Sequence, residues 1–440
     1  MDISIKIGNL KFKQNIGVLF CELLLFNVLL PVRGRVLGIP AMASLVLLMC
    51  FIGQLLNKKK MVLDIPKYCA IYMLIFLFEY LIHFSDRSFV DTFILIVKMV
   101  APFYIILEGI TNMDRFLTML KFIVKVFAVY GIFGIIETLF HFNIFDKLTG
   151  TEVVYEHANA LRFGLARNRG ALDVSINNGM LLCLVLCIAA YVLIYATKKE
   201  CKWYRWCYFI IFLDAFLTLS RAIWMELVIT QILIFLVLTP RNKQKVIVRG
   251  LLICLCVGII LLMTNPDILE KITYIFKEMF SSTYDAFSGA DTAESSEMNY
   301  GVGHRFALWA WVWEKTQGYL IFGTGYAIPF VYVVSSTYIK ESIEVMWLST
   351  LYHWGFVGLF GYIIFQIGTI IHMINGYKIE KTVFKDKKIT FNYVMLVATL
   401  LYFVTQFSCS ALEDLRFFYI MLALTFTYNR LCKQELVAGE

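Results

Sequence analysis

Between Asn15 and Arg430 the chain is a succession of apolar runs set apart by more polar gaps, most of them short. Each is close to the roughly 20 residues that an α-helix needs to cross a hydrocarbon layer. That pattern permits few architectures. With no water available to backbone N–H and C=O groups, runs of this length satisfy them internally and fold as helices packed side by side. The expected fold is all-α, a polytopic membrane bundle of about twelve crossings once shorter or tilted helices are allowed. The crossings fall near 15–31, 36–56, 67–84, 89–109, 116–140, 172–196, 203–219, 222–239, 247–264, 345–374, 389–410 and 412–431. At 60% hydrophobic and 16% charged side chains, the composition excludes an ordinary soluble globular protein. The basic start carries no small-residue cleavage site before its long apolar run, so the first crossing is expected to be retained.

Charge sets the expected orientation. Lysine and arginine cluster in alternate gaps, "NKKKMVLDIPK" at 57–67, "TKKECKWYR" at 197–205, "PRNKQKVIVR" at 240–249 and "YKIEKTVFKDKK" at 377–388, and again in the tail "NRLCKQ". The positive-inside rule puts these gaps and both termini in the cytoplasm; Arg33 and Arg35 in a short outer loop run against it. The formal net charge of +8 is thus a topological signal, and no nucleic-acid partner follows from it. The whole chain, 1–440, reads as one membrane domain with two long outer loops, 141–171 and 265–344. The second opens with the polar, acidic "SSTYDAFSGADTAESSEMNYGVG" and continues with "HRFALWAWVWEKTQGYLIFG", in which Phe306, Trp309, Trp313 and Tyr319 recur near helical spacing. The spacing predicts an amphipathic helix on the outer membrane surface. The eleven cysteines sit in apolar runs or near their ends, as packing residues rather than a disulfide framework or a zinc site.

One arginine breaks the apolar pattern. In "FLTLSRAIWMELVITQ", Ser220 and Arg221 stand in the middle of a stretch long enough for two helices, flanked on both sides by basic gaps. The chain has to turn back there, so Arg221 is expected at the tip of a hairpin at the outer surface. Two readings stay open: an arginine that snorkels or is neutralised by Asp214 or Glu226, and a functional cation. The loop "NALRFGLARNRGALDVSINNGM" adds Arg162, Arg167 and Arg169, either a solvated basic loop or an anion-capturing one, since guanidinium groups grip phosphate oxygens as a bidentate, permanently charged fork. His304 and Arg305 follow a glycine-permitted turn, and Gly323 and Gly325 in "FGTGYAIP" allow a tight bend or close approach to a ligand. Glu341 and Glu344 precede the next helix, where a carboxylate either complements the helix dipole or acts as a base. His83, His141 and His157 lack metal-ligand spacing, and His353 reads as a packed or hydrogen-bonded histidine inside the bundle. Neither a glycine-rich nucleotide loop nor a nucleophile elbow is present.

Taken in order, "RNRGALDVSINNGMLLC", "LTLSRAIWMEL", "RFALWAWVWEKTQGYLIFGTGYA" and "EVMWLSTLYHWGFVGLFG" resemble the O-antigen polymerase and ligase superfamily of bacterial membrane glycosyltransferases over residues 160 to 361. The resemblance implies a transferase acting on an oligosaccharide carried by undecaprenyl diphosphate in the membrane; with arginines to supply the positive charge, neither a metal nor a cofactor is expected. A chain-length regulator and a separate flippase are the partners it implies. It places Arg221 and Arg305 on the arginines that grip the diphosphate and Gly323 and Gly325 on the glycine pair; the mechanism expected from these residues adds Arg169 as a third diphosphate contact and Glu344 as general base. Arg162, Arg167, Arg169, His304, Gly323, Gly325 and Glu341 are then the substrate-binding candidates, with Glu341 as reserve base. Where ligases of the superfamily carry a His-Asn pair, this chain has Glu344-Val345, which favours a polymerase over a ligase. A lipid-linked oligosaccharide flippase is the rival from another class; it would show two similar halves and short outer loops.

Overall fold

The computed structural model describes residues 2–7, 10–30, 35–36, 39–40, 42–58, 64–83, 86–149, 161–162, 165–172, 174–237, 243–244, 302–325, 330–335, 338–340, 343, 345–384, 390–407 and 416–439. Helices dominate it. They are α1 (Ile16–Leu24), α2 (Phe26–Leu29), α3 (Met42–Lys58), α4 (Lys67–Ile82), α5 (Asp86–Gly109), α6 (Met113–Phe140), α7 (Ile144–Thr149), α8 (Ser175–Tyr195), α9 (Lys198–Leu217), α10 (Arg221–Val237), α11 (Val302–Lys315), α12 (Met346–Val383), α13 (Phe391–Thr405) and α14 (Arg416–Gly439). Every crossing expected from hydropathy meets one of these helices except 247–264, which lies outside the described residues. Among the described residues, α6, α8 and α12 are long and apolar enough to cross a membrane, and α1 with α2, part of α3, and α13 are shorter apolar helices.

Helix starts follow local chemistry. Asn15 Oδ1 accepts from Gly17 N at 3.0 Å, Asn112 Oδ1 from Arg115 N at 2.9 Å and Thr390 Oγ1 from Tyr393 N at 3.2 Å, each satisfying an N–H that the first turn leaves without an intrahelical partner. Thr197 and Glu200 form a reciprocal capping box at the start of α9. Beside these helices, the described residues include four short two-stranded hairpins. They are β1 (Asp2–Ile7) with β2 (Leu10–Asn15), β3 (Arg35–Val36) with β4 (Ile39–Pro40), β5 (Leu161–Arg162) with β6 (Leu165–Ala166), and β7 (Tyr332–Ser335) with β8 (Tyr338–Lys340). All are local hairpins that hydropathy averaged over 20 residues does not register.

α8 is the centre of the bundle. It is buried along almost its whole length, and α6, α9, α10 and α13 pack around it. α12 lies against α4 and α13, while α14 lies against α5. Glycines let α12 and α4 approach: a β-carbon on Gly361 would meet Ile75, and one on Gly368 would meet Tyr68. The outward surfaces are apolar, with Leu56 70%, Leu81 65%, Phe140 72% and Val404 62% exposed. Exposure of large apolar side chains on so many helices is untenable in water and ordinary in lipid, so the chain is an integral membrane protein. The described cysteines are free thiols, nearly all buried.

Two groups of polar contacts mark the end of the bundle opposite Arg221. At the lysine-rich end, Lys121 on α6 bonds Glu200 on α9 at 2.8 Å and 3.1 Å. Glu380 near the end of α12 accepts from Phe391 N, Asn392 N and Asn392 Nδ2 at 2.8, 3.0 and 3.0 Å, and from Tyr428 Oη at 2.6 Å. The opposite end carries Arg221.

Candidate active site

Arg221 opens α10 immediately after a three-residue turn, where the sequence requires the chain to reverse. α9 closes with Thr218 Oγ1 donating to Ala215 O at 2.8 Å, and Leu219 takes a left-handed conformation with φ 52°. The indole of Trp224 stacks on Phe216 at 5.1 Å and donates to its carbonyl at 2.8 Å, so the turn is held from both helices. Arg221 is half-buried and stands where the first N–H groups of α10 and the positive end of its dipole also lie.

Each of the two carboxylates that the sequence offers as neutralisers also bonds a neighbouring segment through one of its oxygens. Asp214 is fully buried, and its Oδ1 accepts from Asn168 Nδ2. Glu226, also buried, accepts from Thr405 Oγ1 on α13 at 3.2 Å. Glu226 therefore ties α10 to the end of α13, and Asp214 ties α9 to the loop before α8.

That loop is bonded residue by residue. Asn168 N donates to Leu217 O at 3.4 Å, and Arg167 Nε donates to Thr218 O at 3.4 Å, which lays the loop along the turn that leads into Arg221. Asn168 Nδ2 also donates to Asp214 O at 3.1 Å, while its Oδ1 accepts from Asn178 Nδ2 at 2.5 Å. Asn178 Oδ1 in turn accepts from Tyr130 Oη at 2.7 Å, and Tyr130 Oη accepts from Ala171 N at 2.9 Å. Glu137 Oε2 takes Arg169 N and Gly170 N at 3.3 Å and 3.0 Å, and Asn143 Nδ2 donates to Gly170 O at 2.9 Å. Gly170, with φ 56°, is required there because a β-carbon would collide with the Tyr130 hydroxyl. Gly134 likewise leaves room for Asp214 and Asn168.

The arginines of this region have unequal surroundings. Arg169 pairs with Asp146 on α7 and lies 3.8 Å from Glu137, so two carboxylates already face it. Arg167 is half-buried beside Thr218. Arg162 is paired with Leu165 in the β5–β6 hairpin just upstream; its backbone alone is described.

The same end of the bundle receives α11 and the start of α12. His304 and Arg305 fall in the first turn of α11, again described by backbone alone. α11 buries Leu308 and Val312 with Val345, Leu348 and Tyr352, and turns Trp309 and Trp313 outward, 39% and 50% exposed. Met346 N donates to Gln406 O at 3.1 Å, and Trp347 stacks on Phe407 at 5.2 Å, which joins the start of α12 to the end of α13 next to the Thr405–Glu226 bond. Glu341 and Glu344 lie outside the described residues.

Gly323 and Gly325 have positive φ, 72° and 62°; Gly323 faces the backbone of His353 and Gly355, and Gly325 faces the His83 side chain. Thr324 N donates to Tyr352 O at 2.8 Å, Gly325 N to His353 O at 2.9 Å, and Phe356 N to Leu320 O at 2.8 Å across a break in α12 at Gly355. His353 Nδ1 donates to Gly325 O at 2.9 Å, and His83 Nε2 from the end of α4 donates to Phe322 O at 2.6 Å. Of the two possibilities in the sequence, tight bending is the one these bonds account for.

Residues that sequence reasoning passed over are Asn168, Glu137, Asn143 and Tyr130. Asn168 was readable as the polar residue between two arginines, but its partners are 10 and 46 residues distant. Among the described residues no three His, Cys, Asp or Glu side chains group as metal ligands.

Fold and site together define an integral membrane protein whose arginine-bearing segments, from the loop before α8, the α9–α10 turn and α11, all bear on one end of a helix bundle. Residues 206–363 match the family described as O-antigen ligase, so the resemblance to the O-antigen polymerase and ligase superfamily holds across the span that carries Arg221, Arg305, Gly323, Gly325 and Glu344. A comparison with curated proteins finds no match.

Proposed function

We propose that the chain is a polysaccharide polymerase that joins undecaprenyl-diphosphate-linked oligosaccharide repeats at the outer face of the cytoplasmic membrane. The observation that carries this is the packing of the Arg167–Gly170 loop along the turn before Arg221, at the bundle end opposite the lysine-rich loops. If those lysine-rich loops are cytoplasmic, the arginine end faces outward, where lipid-linked repeats are displayed.

In this reading the growing glycan on its lipid diphosphate is the donor. A hydroxyl of an incoming lipid-linked repeat attacks the anomeric carbon as the bond from that carbon to the diphosphate oxygen breaks, and undecaprenyl diphosphate leaves. Glu344 takes the hydroxyl proton, with Glu341 in reserve. Arg221 and Arg305 stabilise the negative charge that develops on the leaving diphosphate, which lowers the barrier because those guanidinium groups are placed before reaction begins. Arg167 stands beside the Arg221 turn as a further diphosphate contact. Arg169 reaches the diphosphate only by leaving Asp146. His304, Arg162 and the 320–325 turn border the glycan.

The family description favours a second reading, a ligase that moves a finished glycan from the lipid carrier to a different acceptor. Incubating purified protein with synthetic undecaprenyl-diphosphate-linked repeats separates the two. A polymerase yields a ladder of longer chains on the lipid; a protein that yields no ladder, but transfers glycan to a lipopolysaccharide core, is a ligase.

A further inference from the structure

The buried bond between Asn168 and Asp214 joins the two arginine segments, yet neither side chain is placed to touch a substrate. Asn168 is flanked by Arg167 and Arg169, and Asp214 lies seven residues before Arg221, through the turn at 218–220. Both are fully buried. Asn168 uses its amide in both directions, donating to Asp214 Oδ1 and to Asp214 O, and accepting from Asn178 on α8. Gly134 on α6 leaves the space the pair occupies: a β-carbon there would stand 2.8 Å from Asn168 Nδ2 and would collide with Asp214. The backbone bond from Asn168 to the end of α9, its N–H to Leu217 O, is long at 3.4 Å. The side-chain bonds of Asn168 therefore join that contact and the Arg167 bond to Thr218 O in holding the loop against the turn.

From this geometry we infer that Asn168 and Asp214 are positioning residues, a buried pair that sets the spacing between Arg167 and Arg221, two of the guanidinium contacts assigned to the diphosphate. The inference rests on the functional reading above. A buried donor that loses its acceptor costs far more than an exposed one, so the pair holds one arrangement rather than several. Displacement of a catalytic contact by about 1 Å lowers rates on the order of 100-fold, which is the effect expected from losing the pair.

A reversal of the pair tests this. Asn168→Asp sets two buried carboxylates against each other and removes the donor; Asp214→Asn keeps an acceptor for Asn168; the double variant Asn168→Asp/Asp214→Asn restores the side-chain bond in reversed order, though not the bond from residue 168 to the carbonyl of residue 214. Each is purified, checked for folding by thermal unfolding, and measured for undecaprenyl diphosphate affinity and for chain growth on lipid-linked repeats. The expected result is a loss of about 100-fold for Asn168→Asp, near wild-type behaviour for Asp214→Asn, and recovery in the double variant to within about threefold of wild type. Should Asn168→Asp fail to fold, Asn168→Ala removes the same bonds without the like charge and is expected to show the same loss. A folded double variant as slow as the single one overturns the inference, as does wild-type chain growth by Asn168→Asp or Asn168→Ala. If wild-type protein neither binds undecaprenyl diphosphate nor extends a chain, the functional reading itself fails, whatever the variants do.

Discussion

Gly323 and Gly355 stand back to back: each has positive φ, and a β-carbon on either would lie 2.5 Å from the backbone nitrogen of the other. Gly355, at φ 59° and ψ −159°, occupies a region open essentially to glycine alone, and there the helix α12 breaks to receive the 320–325 turn. Alanine at either position meets backbone that cannot move aside and a left-handed strain of about 1–2 kcal/mol. We predict that Gly323→Ala and Gly355→Ala each lower stability by at least about 2 kcal/mol and abolish chain growth, measured by thermal unfolding in detergent beside the polymerisation assay.

Arg221→Lys and Arg305→Lys keep the charge and lose the planar fork. Each is expected to reduce chain growth by about 100-fold or more, the scale for removing one preorganised donor to a developing anion, at unchanged protein level. Wild-type growth by either lysine variant removes that arginine from the diphosphate clamp.

Glu344→Gln tests the proton transfer separately from charge stabilisation. A positioned general base contributes about 10²- to 10⁴-fold. The glutamine variant is expected to lose that factor while still binding undecaprenyl diphosphate. Wild-type turnover across the whole pH range would assign the base elsewhere, with Glu341→Gln as the next variant to measure.

Glu380 collects four hydrogen bonds far from the arginine end, two of them from the first N–H groups of α13. Glu380→Ala leaves those buried donors without an acceptor, at about 1–3 kcal/mol each. The expected outcome is a marked fall in thermal stability, with the affinity for undecaprenyl diphosphate of the remaining folded protein unchanged. A selective loss of affinity without loss of stability would contradict this assignment.

Lys121 and Glu200 give a pH-dependent signature at the lysine-rich end. The hydrogen bond from Lys121, with those from Thr197, holds the Glu200 carboxyl down to about 2 from its ordinary 4.5. A carboxyl lowered on folding contributes stability above its ordinary value and loses it as pH falls toward the folded value. Wild type is therefore expected to unfold at a higher temperature than Lys121→Met at neutral pH, with the gap closing between pH 4.5 and 2. Equal unfolding temperatures at neutral pH would show that the exposed pair contributes nothing.

How much the sequence determined follows from which signals are local. Hydropathy over about 20 residues, with capping residues such as Asn112, Thr197 and Thr390, marks where helices run and begin. The reversal before Arg221 follows because an apolar stretch long enough for two helices, flanked by lysine-rich gaps, cannot run in one direction. Partners across the bundle are another matter. Asp214 and Glu226, both within reach of Arg221 along the chain, also bond Asn168 and Thr405, the second separated by 179 residues. The glycines at 323 and 325 were readable as permissive positions, but that they serve the break at Gly355 is fixed only when the 320–325 turn meets α12. Arg169 illustrates the same limit: its charge is plain in the sequence, and the two carboxylates that surround it, Asp146 and Glu137, come from separate helices. Side-chain type and spacing are properties of the chain; desolvation and hydrogen-bond partnership belong to the packed bundle, and they decide which polar residues hold it together and which are left to meet a substrate.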